Sequence, residues 1–311
     1  MTLTDLTWRR HGLLWAPPRT GPLTTGHATV PTPVLISEDR VRVFVSCADE
    51  TGRCRPFYFD ADLSDAPTVV GESDGPLLEL GARGCFDQDG VICTSITDRG
   101  SGELRMYYAG FERLSTVRYR IMVGIALSAD GGKSFTRNSQ APALDRIDGE
   151  LMFRGGPLVL PDGDGYSMIY AGGGSWIASD EKELPVYDLR VAHSRDGLTW
   201  DGPGRVIIPT DDSKHGFGRP WLYETTEEGI TLLLSIRDRE SGRYRMGSAT
   251  LDKKLRLGSL SYGIGLEPSD SAFETRSTLF AATITCAGRE WCFYNGNDFG
   301  VDGVAVAELC S

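Results

Sequence analysis

One strand type recurs five times along this chain at a nearly constant interval. The copies are VRVFVSCAD from Val41, LRMYYAGFE from Leu104, YSMIYAGGG from Tyr166, ITLLLSIRD from Ile230 and EWCFYNGND from Glu290, spaced by 63, 62, 64 and 60 residues. A first strand and a turn precede each copy: PTPVLISEDR, DGVICTSITDRGSGE, GGPLVLPDGDG, RPWLYETTEEG and STLFAATITCAGR. A strand with small residues follows each: FYFDAD, IMVGIALSADGGKSF, DLRVAHSRDGLTW, YRMGSATLD and GVAVAEL. Short alternating runs rich in Val, Ile, Tyr, Phe and Thr are half-buried strands, and long helical periods are missing. So regular a period is not expected of a sandwich, but it suits four-stranded sheets packed radially, which leaves few exposed edges. The expected fold is all-β: a five-bladed β-propeller of four-stranded antiparallel blades. It forms a single domain over residues 1–311, with blades at roughly 25–80, 81–145, 146–210, 211–268 and 269–311 and N-terminal residues closing the ring.

The turns agree with this reading. In SADGGKSF and SRDGLTW, Ser-x-Asp-Gly is followed by an aromatic that can sit between sheets, while glycine takes the positive φ the turn needs. These segments are hairpin turns and carry no chemistry. PDGDG (Pro161 to Gly165) is another hairpin turn, and Gly-rich AGGGS (Ala171 to Ser175) opens no helix that would hold a phosphate.

Composition excludes several function classes. The net charge is −11 and the basic residues are scattered, so no basic stripe favours nucleic acid. No run approaches the ~18 apolar residues of a membrane helix. MTLTDLTWRRHGLLW lacks the continuous apolar core of a secretory signal, so a cytoplasmic location is expected. The seven cysteines form no C-x-x-C pair and read as small buried hydrophobes. No His, Cys or Asp cluster has metal-ligand spacing, and neither a metal nor another cofactor is expected.

In a propeller the first strand of each blade lines the central channel, so the five entrances converge. They read GHATV with His27, CFDQDGV with Asp87 and Asp89, MFRGGP with Arg154, GFGRPW with Arg219, and FETRST with Glu274 and Arg276. All five are polar or charged, which is the composition of a ligand site.

The segments DGVICTSI and LRMYYAGFERLSTVRYRIMVGIALSADGGKSFTR resemble the second blade of five-bladed glycosidase-like proteins related to glycoside hydrolase families 43, 32 and 130. YDLRVAHSRDGLTW, FGRPWLY, FETRSTLF and FYNGNDFGVDGVAVAEL resemble the same group, so the likeness spans nearly the whole chain from about residue 25. Such enzymes place carboxylates from different blades on opposite sides of an anomeric carbon, one as acid and one as base or nucleophile. The resemblance implies Asp89 and Glu274 as that pair, with Asp188 tuning their pKa values. Two departures stand out: the first entrance offers His27 where those families carry an Asp, and the third offers Arg154.

Arg154 and Arg219 are therefore read as forks for an anionic group such as a uronate, phosphate or carboxylate, or as ion pairs holding the channel shut. His215 is a candidate hydrogen-bond donor or acid–base group. Tyr119, Arg120, Trp176 and Tyr187 are candidate walls for a sugar ring, with core packing the alternative for the aromatics, and Asp87, His27 and Arg276 complete the binding set. The expected activity is glycoside-hydrolase-like, on a glycoside or sugar-derived small molecule. The alternatives are a non-hydrolytic biosynthetic enzyme (isomerase, cyclase or transferase) and a non-catalytic sugar-binding propeller.

Overall fold

The computed structural model describes residues 3–19, 21–178, 183–200 and 202–310. Among the described residues the chain is nearly all β, with 3-10 turns at Leu3–Asp5 and Ala272–Glu274 and a short turn, Asn297–Gly300, whose Asp298 and Phe299 are left-handed. The strands are β1 (Trp8–Trp15), β2 (Gly26–Leu35), β3 (Arg40–Ala48), β4 (Cys54–Asp62), β5 (Thr68–Glu72), β6 (Gly90–Asp98), β7 (Leu104–Arg113), β8 (Tyr119–Ser128), β9 (Thr136–Arg137) and β10 (Phe153–Asp162). They continue with β11 (Gly165–Ile177), β12 (Leu184–Ser194), β13 (Arg205–Ile208), β14 (Lys214–Thr225), β15 (Gly229–Asp238), β16 (Tyr244–Asp252), β17 (Leu257–Tyr262), β18 (Leu279–Cys286), β19 (Arg289–Asn295) and β20 (Val304–Leu309).

Two compact units divide the chain, one of Met1–Leu77, Trp221–Ser235 and Tyr244–Ser311, the other of Leu78–Pro220 and Ile236–Arg243. The first unit holds the sheet β2-β3-β4-β5, the sheet β18-β19-β20-β1 and most of the run β14-β15-β16-β17. β1 pairs antiparallel with β20, so the outermost strand of the second sheet comes from the other end of the chain. Its core gathers Val41, Val43, Val45, Phe57 and Phe59 with Trp291, Phe293, Val304 and Val306. The alternate residues of each strand point inward, as the period of two requires.

The second unit holds β6-β7-β8 with β9 beside β8, and β10-β11-β12 with β13 beside β12. A short parallel bridge joins β8 to β10 at Ile121–Phe153 and Met122–Arg154. The two predicted turns lie here. Asp196 accepts the N–H groups of Leu198 and Thr199, and Asp130 those of Lys133 and Ser134. The aromatics they deliver, Phe135 and Trp200, are buried, and Trp200 meets Tyr107 edge-on at 6.4 Å. Burying such rings supplies a large share of the apolar stabilisation of these sheets.

The first strands of the repeat are not regular. β2 is bulged between Thr29 and Thr32, β6 between Cys93 and Ser95, β10 between Gly155 and Leu158, and β18 between Leu279 and Ala282. Val30 (φ 58), Gly156 (φ 61), Arg219 (φ 50) and Phe280 (φ 58) are left-handed at matching points of the repeat. A β-branched residue such as Val30 rarely adopts that conformation, so the surrounding structure must hold it there. Asn295 does so by accepting the Val30 N–H at 2.9 Å and donating to Ala28 O at 2.7 Å. Ser235, in the corresponding column of the repeat, accepts the Phe280 N–H at 2.9 Å. A bulge frees backbone groups from the ladder, and these side chains take them up.

Candidate active site

Three repeats share one buried arrangement of an acid, a tyrosine and an arginine. In each, a carboxylate from the segment before the first strand accepts the hydroxyl of a tyrosine on the second strand: Asp87 from Tyr108 at 2.9 Å, Glu150 from Tyr170 at 2.7 Å, and Glu274 from Tyr294 at 2.8 Å. All three acids are inaccessible to solvent. Arg137 on β9 pairs with Asp87 at 2.8 Å, and Arg10 on β1 pairs with Glu274 at 2.6 Å. Glu150 faces Arg154 at 3.0 Å and Arg190 at 3.3 Å. Burial and the neighbouring carboxylates raise the pKa of all three tyrosines, that of Tyr170 to about 12, so each hydroxyl stays a donor. Gly81 lies so close to Asp87 that a Cβ there would stand 1.9 Å from Oδ1.

This arrangement changes the reading of several expected site residues. Glu274 also accepts from Ser269 at 2.5 Å, so the carboxylate expected to be catalytic is shut inside the first unit by three partners. Asp87 is likewise enclosed within the second unit. Arg154 uses all of its nitrogens inside the protein: Nε faces Glu150, Nη1 donates to Asp145 O at 2.6 Å, and Nη2 to Gly202 O at 2.9 Å and Tyr170 at 3.3 Å. Arg219 is left-handed within β14 and donates to the carbonyl of Thr94, at the bulge of β6. Thr94 in turn donates to Pro157 O on β10 at 2.8 Å. Burial lowers the Arg219 pKa to about 9, which leaves it protonated at neutral pH. Both guanidinium groups expected to grip an anion are thus engaged by the protein itself.

The entrance residues do not share one register either. Counted against the left-handed residues, Arg219 is itself one, Arg154 precedes Gly156 by two, and His27 precedes Val30 by three. Asp89 lies just outside β6, and Glu274 lies in a 3-10 turn ahead of β18. Asp89 and Glu274 belong to different units.

Asp89 and Asp188 remain partly accessible, both in the second unit. Asp89 accepts the Arg113 N–H at 2.9 Å, at the end of β7 where Glu112 and Arg120 form an ion pair across β7 and β8. Asp188, on β12, accepts from the Thr210 N–H at 2.8 Å and its hydroxyl at 3.1 Å, and pairs with Arg190 at 3.2 Å.

The second unit also holds an aromatic cluster. Phe153 contacts Tyr119 at 6.0 Å, Trp176 at 5.3 Å and Tyr187 at 5.6 Å between ring centres. The Tyr187 ring fills the space over Gly216, where a Cβ would come within 2.4 Å of it. His215, next in the chain, is fully buried and its Nδ1–H donates to Pro185 O at 2.7 Å. A carbonyl can only accept, so Nδ1 carries the proton and Nε2 presents a lone pair. Burial lowers the His215 pKa, and the nearby Arg237 lowers it further, so the ring is neutral at pH 7. In the first unit, half-buried His27 (φ 54) lies beside Asp298, and burial lowers its pKa too. Arg276 pairs with Asp298 at the surface.

Four charged residues of these networks, Glu150, Arg190, Arg137 and Arg10, escape a sequence reading anchored on the first-strand entrances. A signal exists: Tyr108, Tyr170 and Tyr294 occupy the same column of the repeat, each with an acid 20 or 21 residues upstream.

No protein-family profile matches the chain. It is 28% identical over 305 residues to "Uncharacterized protein Rv1502" of Mycobacterium tuberculosis H37Rv, covering 98% of this chain and 99% of that one. Among solved structures it is similar to a glycoside hydrolase (TM-score 0.73, 16% identity, 99% of this chain and 92% of that one). It is also similar to a β-1,2-mannobiose phosphorylase from Listeria innocua in complex with β-1,2-mannobiose (TM-score 0.71, 13% identity, 98% and 96%). At such identities the likeness is one of fold.

Proposed function

We propose that the protein is a five-bladed β-propeller enzyme acting on a glycoside or a sugar-derived small molecule. The observation that carries this reading is the agreement of almost the entire chain with the folds of a glycoside hydrolase and a mannobiose phosphorylase. The strand groups β2–β5, β6–β9, β10–β13, β14–β17 and β18–β20 with β1 are its five blades. Asp89 and Asp188 are the acid–base carboxylates, because each is fixed by its own hydrogen bonds and keeps solvent access. Tyr119, Trp176 and Tyr187 supply a wall for the sugar ring. Glu274 takes the holding role that Arg10 and Tyr294 imply, instead of turning over substrate.

The same observation about Glu274 and Arg154 favours a second reading. With the acid of the last repeat and the arginine of the third both engaged internally, the hydrolytic set of the related families is incomplete, and a non-hydrolytic reaction on the same fold follows naturally.

The test is product formation from a panel of aryl glycosides and β-linked disaccharides, run in water alone and with inorganic phosphate. Turnover by the wild type and its loss in Asp89→Asn would support the enzyme reading. A wild type that consumes no glycoside under either condition would overturn it.

A further inference from the structure

A second aromatic surface stands in the first unit, and none of its rings belongs to the acid–tyrosine–arginine networks. Phe299 is 46% exposed. Tyr244 meets it edge-on at 6.0 Å, and Phe280 lies 6.3 Å away at an interplanar angle of 32°. Tyr244 and Phe280 also contact one another at 5.6 Å, so the exposed ring rests on two supporting rings. Phe299 (φ 61) and Asp298 (φ 51) are consecutive left-handed residues, a conformation that glycine would adopt without strain. The turn is held in that shape from beneath. Asn297 accepts the Arg276 and Ser277 N–H groups at 2.8 and 3.1 Å, and donates to Ala272 O at 2.9 Å and Thr275 Oγ1 at 3.1 Å. The result is a flat apolar ring displayed outward, with the Asp298–Arg276 pair as its polar rim and His27 beside Asp298.

We infer that Phe299, Asp298 and Arg276 form a sugar-binding platform for a neutral pyranose ring. The C–H face of the sugar lies on Phe299, while vicinal hydroxyls donate to the Asp298 carboxylate and accept from the Arg276 guanidinium. The chemistry follows from the parts. An aromatic face takes the apolar side of a sugar, and a carboxylate and a planar fork take its hydroxyls. Because the rim pairs one negative with one positive charge, it favours a neutral ring over a uronate or a sugar phosphate. This inference rests on the proposal that the protein handles sugars, and adds a binding surface to it.

The experiment uses the full chain with methyl β-D-mannopyranoside, methyl α-D-mannopyranoside and methyl β-D-glucopyranoside, read by saturation-transfer NMR and calorimetry. At least one should bind the wild type. Phe299→Ala should weaken that binding roughly 3- to 10-fold with an unchanged melting temperature. Phe299→Trp should retain it, and Asp298→Asn should weaken it. No binding by any of the three, or equal binding by Phe299→Ala, overturns the platform. So does a Phe299-dependent dimer in sedimentation that no sugar disturbs. Turnover separates the two ideas. A wild type that binds through Phe299 yet converts no glycoside upholds the platform and removes the enzyme. Turnover that proceeds with sugar binding indifferent to Phe299 does the reverse.

Discussion

Tyr294 gives its hydroxyl proton to Glu274 across 2.8 Å, and the same bond at the same place in the repeat joins Tyr170 to Glu150 and Tyr108 to Asp87. Each bond ties the segment ahead of a first strand to the second strand of its own repeat. A buried carboxylate is costly unless paired and hydrogen-bonded, and here each is both. Where Val45 and Leu234 replace the tyrosine, the repeat has no such tie in that column.

The Glu274 site should respond unequally to removal of its partners. Arg10→Ala strands a fully buried negative charge, with an expected loss of about 2–4 kcal/mol. Tyr294→Phe removes one hydrogen bond and should cost about 1–2 kcal/mol. Glu274→Gln leaves Arg10, itself a quarter exposed, free to reach water, and should cost less than Arg10→Ala. Urea denaturation midpoints give the order, and a larger loss for Glu274→Gln would contradict it.

Asp87 and Asp89, two residues apart, should part company. Asp89→Asn is expected to abolish turnover on any accepted glycoside with little change in melting temperature. Asp87→Asn should lower the melting temperature by weakening the bonds to Tyr108 and Arg137, and lower activity only as far as the folded fraction falls. Parallel activity and thermal-melt measurements on the two variants decide this.

Stability should fall as pH drops from about 7 toward 5.5. His215 and His27 both have folded pKa values lowered by burial, so the unfolded chain takes up protons at these rings before the folded one does. Neither ring costs stability above the ordinary histidine value, and the penalty grows as pH falls below it. His215→Asn, whose amide N–H can still reach Pro185 O, should flatten the dependence. An unchanged pH profile of the variant would exclude His215 as its source.

Arg219 should tolerate no replacement well, although it is expected to touch no substrate. Its guanidinium caps the Thr94 carbonyl where β6 is bulged, and Arg219→Met leaves that buried oxygen short of a donor, at a cost of about 1–3 kcal/mol. Arg219→Lys should recover only part of this, because one flexible ammonium does not reproduce a planar fork. Chemical denaturation of the two variants measures the difference.

The strands are legible in the sequence because alternation, Asp-Gly turns and a period near sixty are local properties. The register of the first strands is not. An unannounced extra residue at Val30, Gly156 or Phe280 shifts every side chain beyond it, and nothing in GHATV or MFRGGP marks the bulge. The same limit governs the candidate site. Asp87, Asp89, Arg154, Arg219 and Glu274 read as equivalent charged entrances, yet only the structure shows Arg10 and Arg137 arriving from outer strands to occupy Glu274 and Asp87. A charge in a sequence does not disclose its partner when that partner is 50 residues away, as Arg137 is from Asp87, or at the other end of the chain, as Arg10 is from Glu274.

The pairing of β1 with β20 also sets a timetable. Trp8 finds Leu309, and Trp15 finds Val304, only after all the strands between them have been made. Until then β1 is an edge with nothing to bond to, and Arg10 waits for a Glu274 not yet synthesised. A growing chain therefore carries β1 without its partner strand until β20 has been made. Its slowest folding event should be this long-range closure. Chaperone dependence and aggregation during synthesis are then expected to centre on Trp8–Trp15, which is made well before the strand it pairs with.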